Sequence, residues 1–92
     1  MLTVIKPDGS IEKRETHGEP GLELIKQLLN DAWFEVIPLP HGTPYQILVD
    51  EEGLQKNLAP NEVASSLSGR PVVGIALLLQ GDSMLGRHDD KN

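Results

Sequence analysis

The chain has 92 residues, no cysteine and a formal net charge of −6, from 14 acidic and 8 basic side chains. This length predicts one small domain, and the absence of cysteine excludes disulfides and thiolate metal sites. The acidic excess argues against a basic surface for phosphates, so we expect no nucleic-acid partner. The longest apolar run, at residues 72–79, is too short to cross a bilayer, so we expect a cytoplasmic protein with no membrane partner.

The N-terminal residues predict a β-hairpin. The apolar strand Leu2–Ile5 is followed by a turn at residues 6–10, in which proline fixes φ and glycine supplies a positive φ. The chain returns through residues 11–16, whose charged side chains leave hardly any apolar face. This composition is typical of an exposed edge strand, where charge discourages pairing with another chain.

A main amphipathic helix is predicted over residues 20–31. Its apolar side chains recur at the spacing of one helix face, at Leu22, Ile25, Leu28 and Leu29. The proline at the start is tolerated because the first amides of a helix have no intrahelical partner. We expect this helix to cover one face of a sheet.

Two further strands are predicted on either side of a proline-rich connector, at residues 33–37 and 45–50. They contain the three aromatic residues of the chain, Trp33, Phe34 and Tyr45. Large rings bury the most apolar area, so Trp33 and Tyr45 are assigned to the core rather than to a ligand platform. The connector prolines cannot donate to a sheet ladder, so pairing should stop near Ile37 and resume near Tyr45.

The C-terminal half predicts a short helix, a buried strand and a tail. The helix is predicted from residues 60–62 through Leu67, about two turns, and residues 68–70 end it with Gly69 as its C-terminal cap. Residues 72–79 are apolar without alternation and predict a strand buried on both faces, with an aromatic ring or the main helix against the face that Gly74 and Ala76 share. Residues 82–92 have no apolar pattern and predict a flexible tail.

Together these elements predict an α+β fold. One domain at residues 1–81 would hold about five mostly antiparallel strands, the main helix and a short second helix. One substantial helix covers only one face of the sheet, whereas the strand at residues 72–79 requires both faces to be dry. Either the short second helix covers the other face or a partner does, and we expect a homodimer formed through the sheet.

The histidines and the carboxylates are the side chains that could act as catalytic or metal-binding groups. The histidines lie in separate loops without metal-ligand spacing, and the chain has no cofactor motif, so we expect no metal and no cofactor. His41 could act as a general base if Asp50 or Glu35 oriented it, but a solvated loop histidine is favoured. The carboxylates at residues 50–52 could bind a cation, but an ordinary turn is favoured.

The predicted working surface comprises the connector at residues 38–45 and the segment at residues 50–61. Functional side chains are expected on loops that a rigid scaffold holds in place. The candidate ligand-binding residues are His41, Tyr45, Asp50 and Asn61. If the protein binds a small ligand, a pocket should open beside Trp33, His41 or Tyr45.

Four motifs occur in order along the chain. They are Trp33-Phe34-Glu35-Val36-Ile37-Pro38-Leu39, Ile47-Leu48-Val49-Asp50-Glu51-Glu52-Gly53, Leu58-Ala59-Pro60-Asn61 and Val72-Val73-Gly74-Ile75-Ala76-Leu77. With this order the chain resembles the uncharacterised family known as domain of unknown function 3846, which occurs in bacteria and their phages and plasmids. The resemblance implies the order of elements and a mobile-element context, since the family has no established activity. The family commonly has basic residues after Pro-Asn, where this chain has Glu62 and Val63.

These observations predict a small non-enzymatic binding or accessory module of bacterial, phage or plasmid origin. Phage-linked proteins of this size often act by binding, and the partner would be a host protein or a small-molecule ligand. Two alternatives stay open. One is an acidic protein-interaction inhibitor that mimics DNA, and the other is a small hydrolase that uses His41.

Overall fold

Five strands form one antiparallel sheet in the order β2-β1-β5-β4-β3. They are β1 (Leu2–Ile5), β2 (Ile11–Arg14), β3 (Phe34–Val36), β4 (Tyr45–Asp50) and β5 (Ala76–Gln80). Helix α1 (Leu22–Leu28) lies between β2 and β3 in the chain, and helix α2 (Glu62–Ser68) lies between β4 and β5. The computed structural model describes residues 1–86. The predicted α+β class, with five antiparallel strands and two helices, is confirmed.

Each face of the sheet carries its own apolar cluster. The cluster on the α1 side contains the buried residues Leu2, Val4, Ile25, Leu29, Ala32, Leu48, Leu77 and Leu79. The cluster on the α2 side contains the buried residues Ile5, Ile37, Ile47, Val49, Ala64, Val72 and Ala76. Successive residues of a strand point to opposite faces, so β5 contributes to both clusters. The predicted burial of this strand on both faces is confirmed.

Helix α2 therefore supplies the second layer within one chain. Its residue Ala64 is fully buried, and Val63 packs against the same cluster. This is one of the two arrangements that the sequence allowed for the second face. The homodimer through the sheet stays a prediction.

Helix α1 is shorter than the predicted range of residues 20–31. It cannot continue past Leu29 because Asn30 and Asp31 adopt positive φ angles of 59° and 62°, outside the α-helical region. Leu22, in its first turn, is 46% exposed, so its assignment to the buried stripe is wrong. Ile25 and Leu29 are buried as predicted.

Trp33 does not belong to the core, and that prediction is wrong. The side chain is 56% exposed, and Lys26 Nζ lies 4.4 Å from the centre of its ring, which is a cation–π contact. The inward positions on either side are taken by Ala32 and Phe34, which pack in the α1-side cluster. Tyr45 does pack, half-buried, against the α2-side cluster.

The last strand begins later than predicted, at Ala76 instead of residue 72. The preceding segment is irregular, and Gly74 in it has a φ of 78°. A Cβ atom at Gly74 would lie 2.7 Å from Leu58 Cδ1. Leu58, and not the main helix, is therefore the close neighbour of Gly74, and the ring of Tyr45 packs against the cluster that contains Ala76.

The chain beyond β5 packs against the domain as far as it is described. A 3₁₀ helix (Gly81–Ser83) follows the strand, and the fully buried Ser83 donates its hydroxyl hydrogen to the Met1 carbonyl at 2.8 Å. Met84 and Leu85 pack against the α1-side cluster. Packed residues thus extend past the predicted domain boundary at residue 81. The rest of the predicted tail, residues 87–92, lies outside the described residues.

Within residues 1–86, neither helix has the length and apolar character needed to span a membrane.

Candidate functional site

A groove of about 340 Å³ opens on the α2 side of the sheet, next to the edge strand β3. Three buried residues of the α2-side cluster, Ile37, Val49 and Val72, line its base. Its walls come from β3 and Pro38, from the turn that follows β4, and from the segment at residues 70–73. We call this cavity the β3 groove.

The rim of the β3 groove carries charges of both signs. Glu35, Glu51 and Arg70 line it, and all three residues are exposed. Among residues 1–86, none of the three forms an ion pair. Leu54, which is 81% exposed, adds an apolar side chain to the same rim. A buried apolar base beside charged groups that form no ion pair with the described residues is the composition expected of a recognition site.

Asp50 holds the turn that forms one wall of the groove. Its carboxylate accepts hydrogen bonds from the Glu52 amide and from Lys56 Nζ, both at 2.8 Å. Burial raises the pKa of Asp50, but the hydrogen bonds from Lys56 and Glu52 and the positive charge of Lys56 outweigh burial. The net effect is a pKa below the ordinary value. The hydrogen bond to Asp50 in turn raises the pKa of Lys56.

The carboxylates at residues 50–52 therefore form a turn, as the sequence favoured. The Asp50 carboxylate is already engaged by a lysine and a backbone amide. No group of three or more histidines, aspartates or glutamates among the described residues could hold a metal ion. Asp50 lines the β3 groove, but its carboxylate is used by the hydrogen bonds that shape the turn.

Asn61 lies beneath α2 and is fully buried. Its side-chain amide donates to the Ile5 carbonyl at 3.0 Å and to the Gly74 carbonyl at 2.8 Å. Its side-chain oxygen accepts from the Ala64 amide at 3.1 Å, which caps the helix N-terminus. The side chain thus joins β1, the segment before β5 and α2. In this structure it docks a helix rather than facing solvent.

Tyr45 is the candidate residue that lies beside a cavity of the connector. Its hydroxyl donates to the Leu67 carbonyl at 3.0 Å, which ties β4 to the end of α2. The ring lines a second cavity of about 270 Å³, together with connector residues that include Pro40 and Thr43. Of the three side chains expected beside a pocket, Tyr45 is the one that lines either of these two cavities.

His41 is exposed at the tip of the connector. The tip is closed by a turn in which the Thr43 amide donates to the Pro40 carbonyl at 3.1 Å. In the described part of the chain, no hydrogen bond or ion pair joins His41 to Asp50 or Glu35. The structure therefore does not supply the orienting carboxylate that a general base at this position requires.

The four candidate residues do not converge on one site, although the two predicted segments meet in part. Pro38 from the connector and residues 50, 51 and 53–55 from the turn line the same groove. Arg70 lies outside both predicted segments, and Leu54 lies within the segment at residues 50–61 but was not a named candidate. Their signals, a single arginine before a proline and a leucine in a polar turn, are too common to identify a site from sequence.

No family model matches the chain, and no characterised protein or solved structure is significantly similar to it. The resemblance to domain of unknown function 3846 therefore stays a prediction.

Proposed function

We propose that the protein is a small non-enzymatic binding module of bacterial, phage or plasmid origin, that it acts in the cytoplasm, and that the β3 groove is its binding site. The observation that supports this proposal is the groove itself. It combines a buried apolar base with a guanidinium and two carboxylates that form no ion pair within residues 1–86.

The size of the groove sets what it can accept. At about 340 Å³ it is at the lower end of the range for small-molecule sites. This volume suits a small metabolite or a few side chains of a larger host protein. A ligand with an apolar part and both an acidic and a basic group would satisfy the whole rim, because Arg70 donates to anions and Glu35 and Glu51 accept from cations.

A thermal-shift screen with nucleotides and small metabolites tests the proposal for small ligands. A compound that binds only the folded chain should raise its melting temperature, and the rise should grow with ligand concentration. The stabilisation should reach about 2.7 kcal/mol at one hundred times the dissociation constant. Purified host proteins can be tested in the same way by titration against the labelled chain.

Two matched variants locate the binding. Arg70→Ala removes the cation of the groove and should weaken binding at least about tenfold, because an anionic group would lose a charged hydrogen bond. Arg14→Ala removes an exposed arginine at the far edge of the sheet and should leave binding unchanged. Equal effects of the two variants would show that the ligand does not use the β3 groove.

A further inference from the structure

The strand β3 lies at one edge of the sheet, so one of its two sides pairs with no other strand of residues 1–86. Two hydrogen bonds show which residues of this edge face β4. The Ile37 amide donates to that side at 2.9 Å, and the Trp33 carbonyl accepts from it at 3.0 Å. Backbone groups alternate in direction along an antiparallel ladder, so Phe34 and Val36 direct their N–H and C=O groups away from β4. Within residues 1–86 no strand pairs on that side.

The other edge strand, β2, is more strongly charged. Its sequence is Ile11-Glu12-Lys13-Arg14, and Glu12 and Arg14 form an exposed ion pair at 3.0 Å. Charged side chains along an edge discourage pairing with another chain. In β3 the single charge is Glu35, and the neighbouring Val36 leaves 43% of its surface exposed. Of the two edges, β3 is the one suited to accept a strand.

We propose that β3 binds an extended segment of a partner protein as an added strand, with a lysine or arginine of that segment opposite Glu35. The proposal builds on the proposed function, since Glu35 also lines the β3 groove. A basic side chain opposite Glu35 would lie at the mouth of the groove, where Glu51 supplies a second carboxylate. Backbone groups of Phe34 and Val36 would supply the affinity and the carboxylates the selectivity.

Charge favours a basic segment over a second copy of the chain. If two copies paired antiparallel with Phe34 opposite Val36, the two Glu35 side chains would face each other. Like charges directly opposite on neighbouring strands are destabilising. The net charge of −6 on each copy adds repulsion. A basic segment would instead be attracted both by Glu35 and by the net charge of the chain. Pro38 has no amide to donate, so the added strand would be short.

Fluorescence anisotropy with labelled peptides tests the charge preference on the full chain. The probes are two short peptides of alternating valine and threonine, one with a central lysine and one with a central glutamate. The lysine peptide should bind about fivefold more tightly. The exposed substitution Glu35→Lys should reverse the order. Equal binding of the two peptides, or an order that Glu35→Lys leaves unchanged, overturns the proposal.

A proline substitution tests the use of the strand edge. The Val36 amide points outward and makes no ladder hydrogen bond. Val36→Pro removes this amide and should therefore abolish binding of the lysine peptide. Lys13→Pro is the matched control. The Lys6 amide donates to the Ser10 carbonyl at 3.0 Å, and by alternation along β2 from this hydrogen bond the backbone groups of Lys13 also point outward. It should leave binding unchanged. Circular dichroism of both variants verifies folding, and Glu35→Lys keeps the test decisive if Val36→Pro unfolds.

The remaining outcomes separate this proposal from the proposed function. Peptide binding that Val36→Pro leaves intact and Arg70→Ala abolishes would place the ligand in the groove, which overturns strand addition and keeps the binding function. If neither peptide binds while small ligands still bind through Arg70, strand addition is again overturned and the binding function is kept. A dimer of the native chain in sedimentation velocity that Val36→Pro dissociates would make a second copy the occupant and overturn the proposal.

Discussion

The two helices have the same length, seven residues each, but are held to the sheet by different interactions. Helix α1 docks through apolar burial, with Ile25 1% exposed and the adjoining Leu29 3% exposed. Helix α2 buries the small Ala64 and is tied down by the Asn61 side chain, which bonds to two other parts of the chain. Helices this short are not stable alone in water. Each one therefore exists because of its contacts with the sheet, and those contacts can be separated by mutation.

The largest effect is expected on the α1 side. Ile25→Ala removes a fully packed side chain and leaves a cavity, which should lower the free energy of unfolding by about 3 kcal/mol. Urea unfolding followed by circular dichroism measures the loss. Leu22→Ala, in the first turn of the same helix and 46% exposed, should cost less than about 1 kcal/mol. Equal losses in the two variants would contradict the apolar docking of α1.

A somewhat smaller effect is expected on the α2 side. Asn61→Ala removes the helix cap and leaves the buried carbonyls of Ile5 and Gly74 without this donor, for a loss of about 2–3 kcal/mol. Ser66→Ala, an exposed site in α2, is the control and should change stability little. Hydrogen exchange should also show that α2 amides open more readily in Asn61→Ala than α1 amides do. A loss below about 1 kcal/mol would mean that apolar contacts suffice for both helices.

The apolar side of this comparison was readable from the sequence. Ile25 and Leu29 are part of a helical repeat, and residues 72–79 form an apolar run, so local spacing predicted two buried elements. The predicted bounds of the helices and strands were less accurate, because where an element ends depends on local backbone geometry. Asn30 and Asp31 end α1 with positive φ angles that their sequence permits but does not require.

The polar side could not be read in the same way. Asn61 is a common helix-capping residue, and the sequence gives no sign that its amide reaches Ile5, 56 positions away. From the sequence it is therefore a candidate ligand-binding residue, whereas in the structure it docks a helix. The predicted burial of Trp33 failed for a related reason. Ring size predicts burial on average, but the inward positions are occupied by its two neighbours. The groove combines β3, the turn after β4 and residues 70–73, so its existence depends on long-range packing.

The smallest effect tests whether the α1 side is wholly apolar. Asp50 shares a strand face with Leu48 and lines a cavity with Leu29, so its ion pair with Lys56 belongs to this side. Since the pKa of Asp50 is lower in the folded chain, the unfolded chain takes up its proton first as the pH falls. The stabilisation is complete above the ordinary value of 3.8 and is lost as the pH falls through the lower folded pKa.

Lys56→Gln removes the positive charge that lowers the pKa of Asp50 and replaces the charged donor by a shorter, neutral one. The variant should therefore lose less stability than the native chain between about pH 5 and pH 2, as measured by urea midpoints across that range. Lys13→Gln makes the same charge change at an exposed lysine of β2 and should keep the native pH dependence. If Lys13→Gln flattened the pH profile as much as Lys56→Gln, net charge would explain the effect. A difference between them would show that a polar contact supports the apolar side of the sheet, so that the contrast between the helices is one of degree.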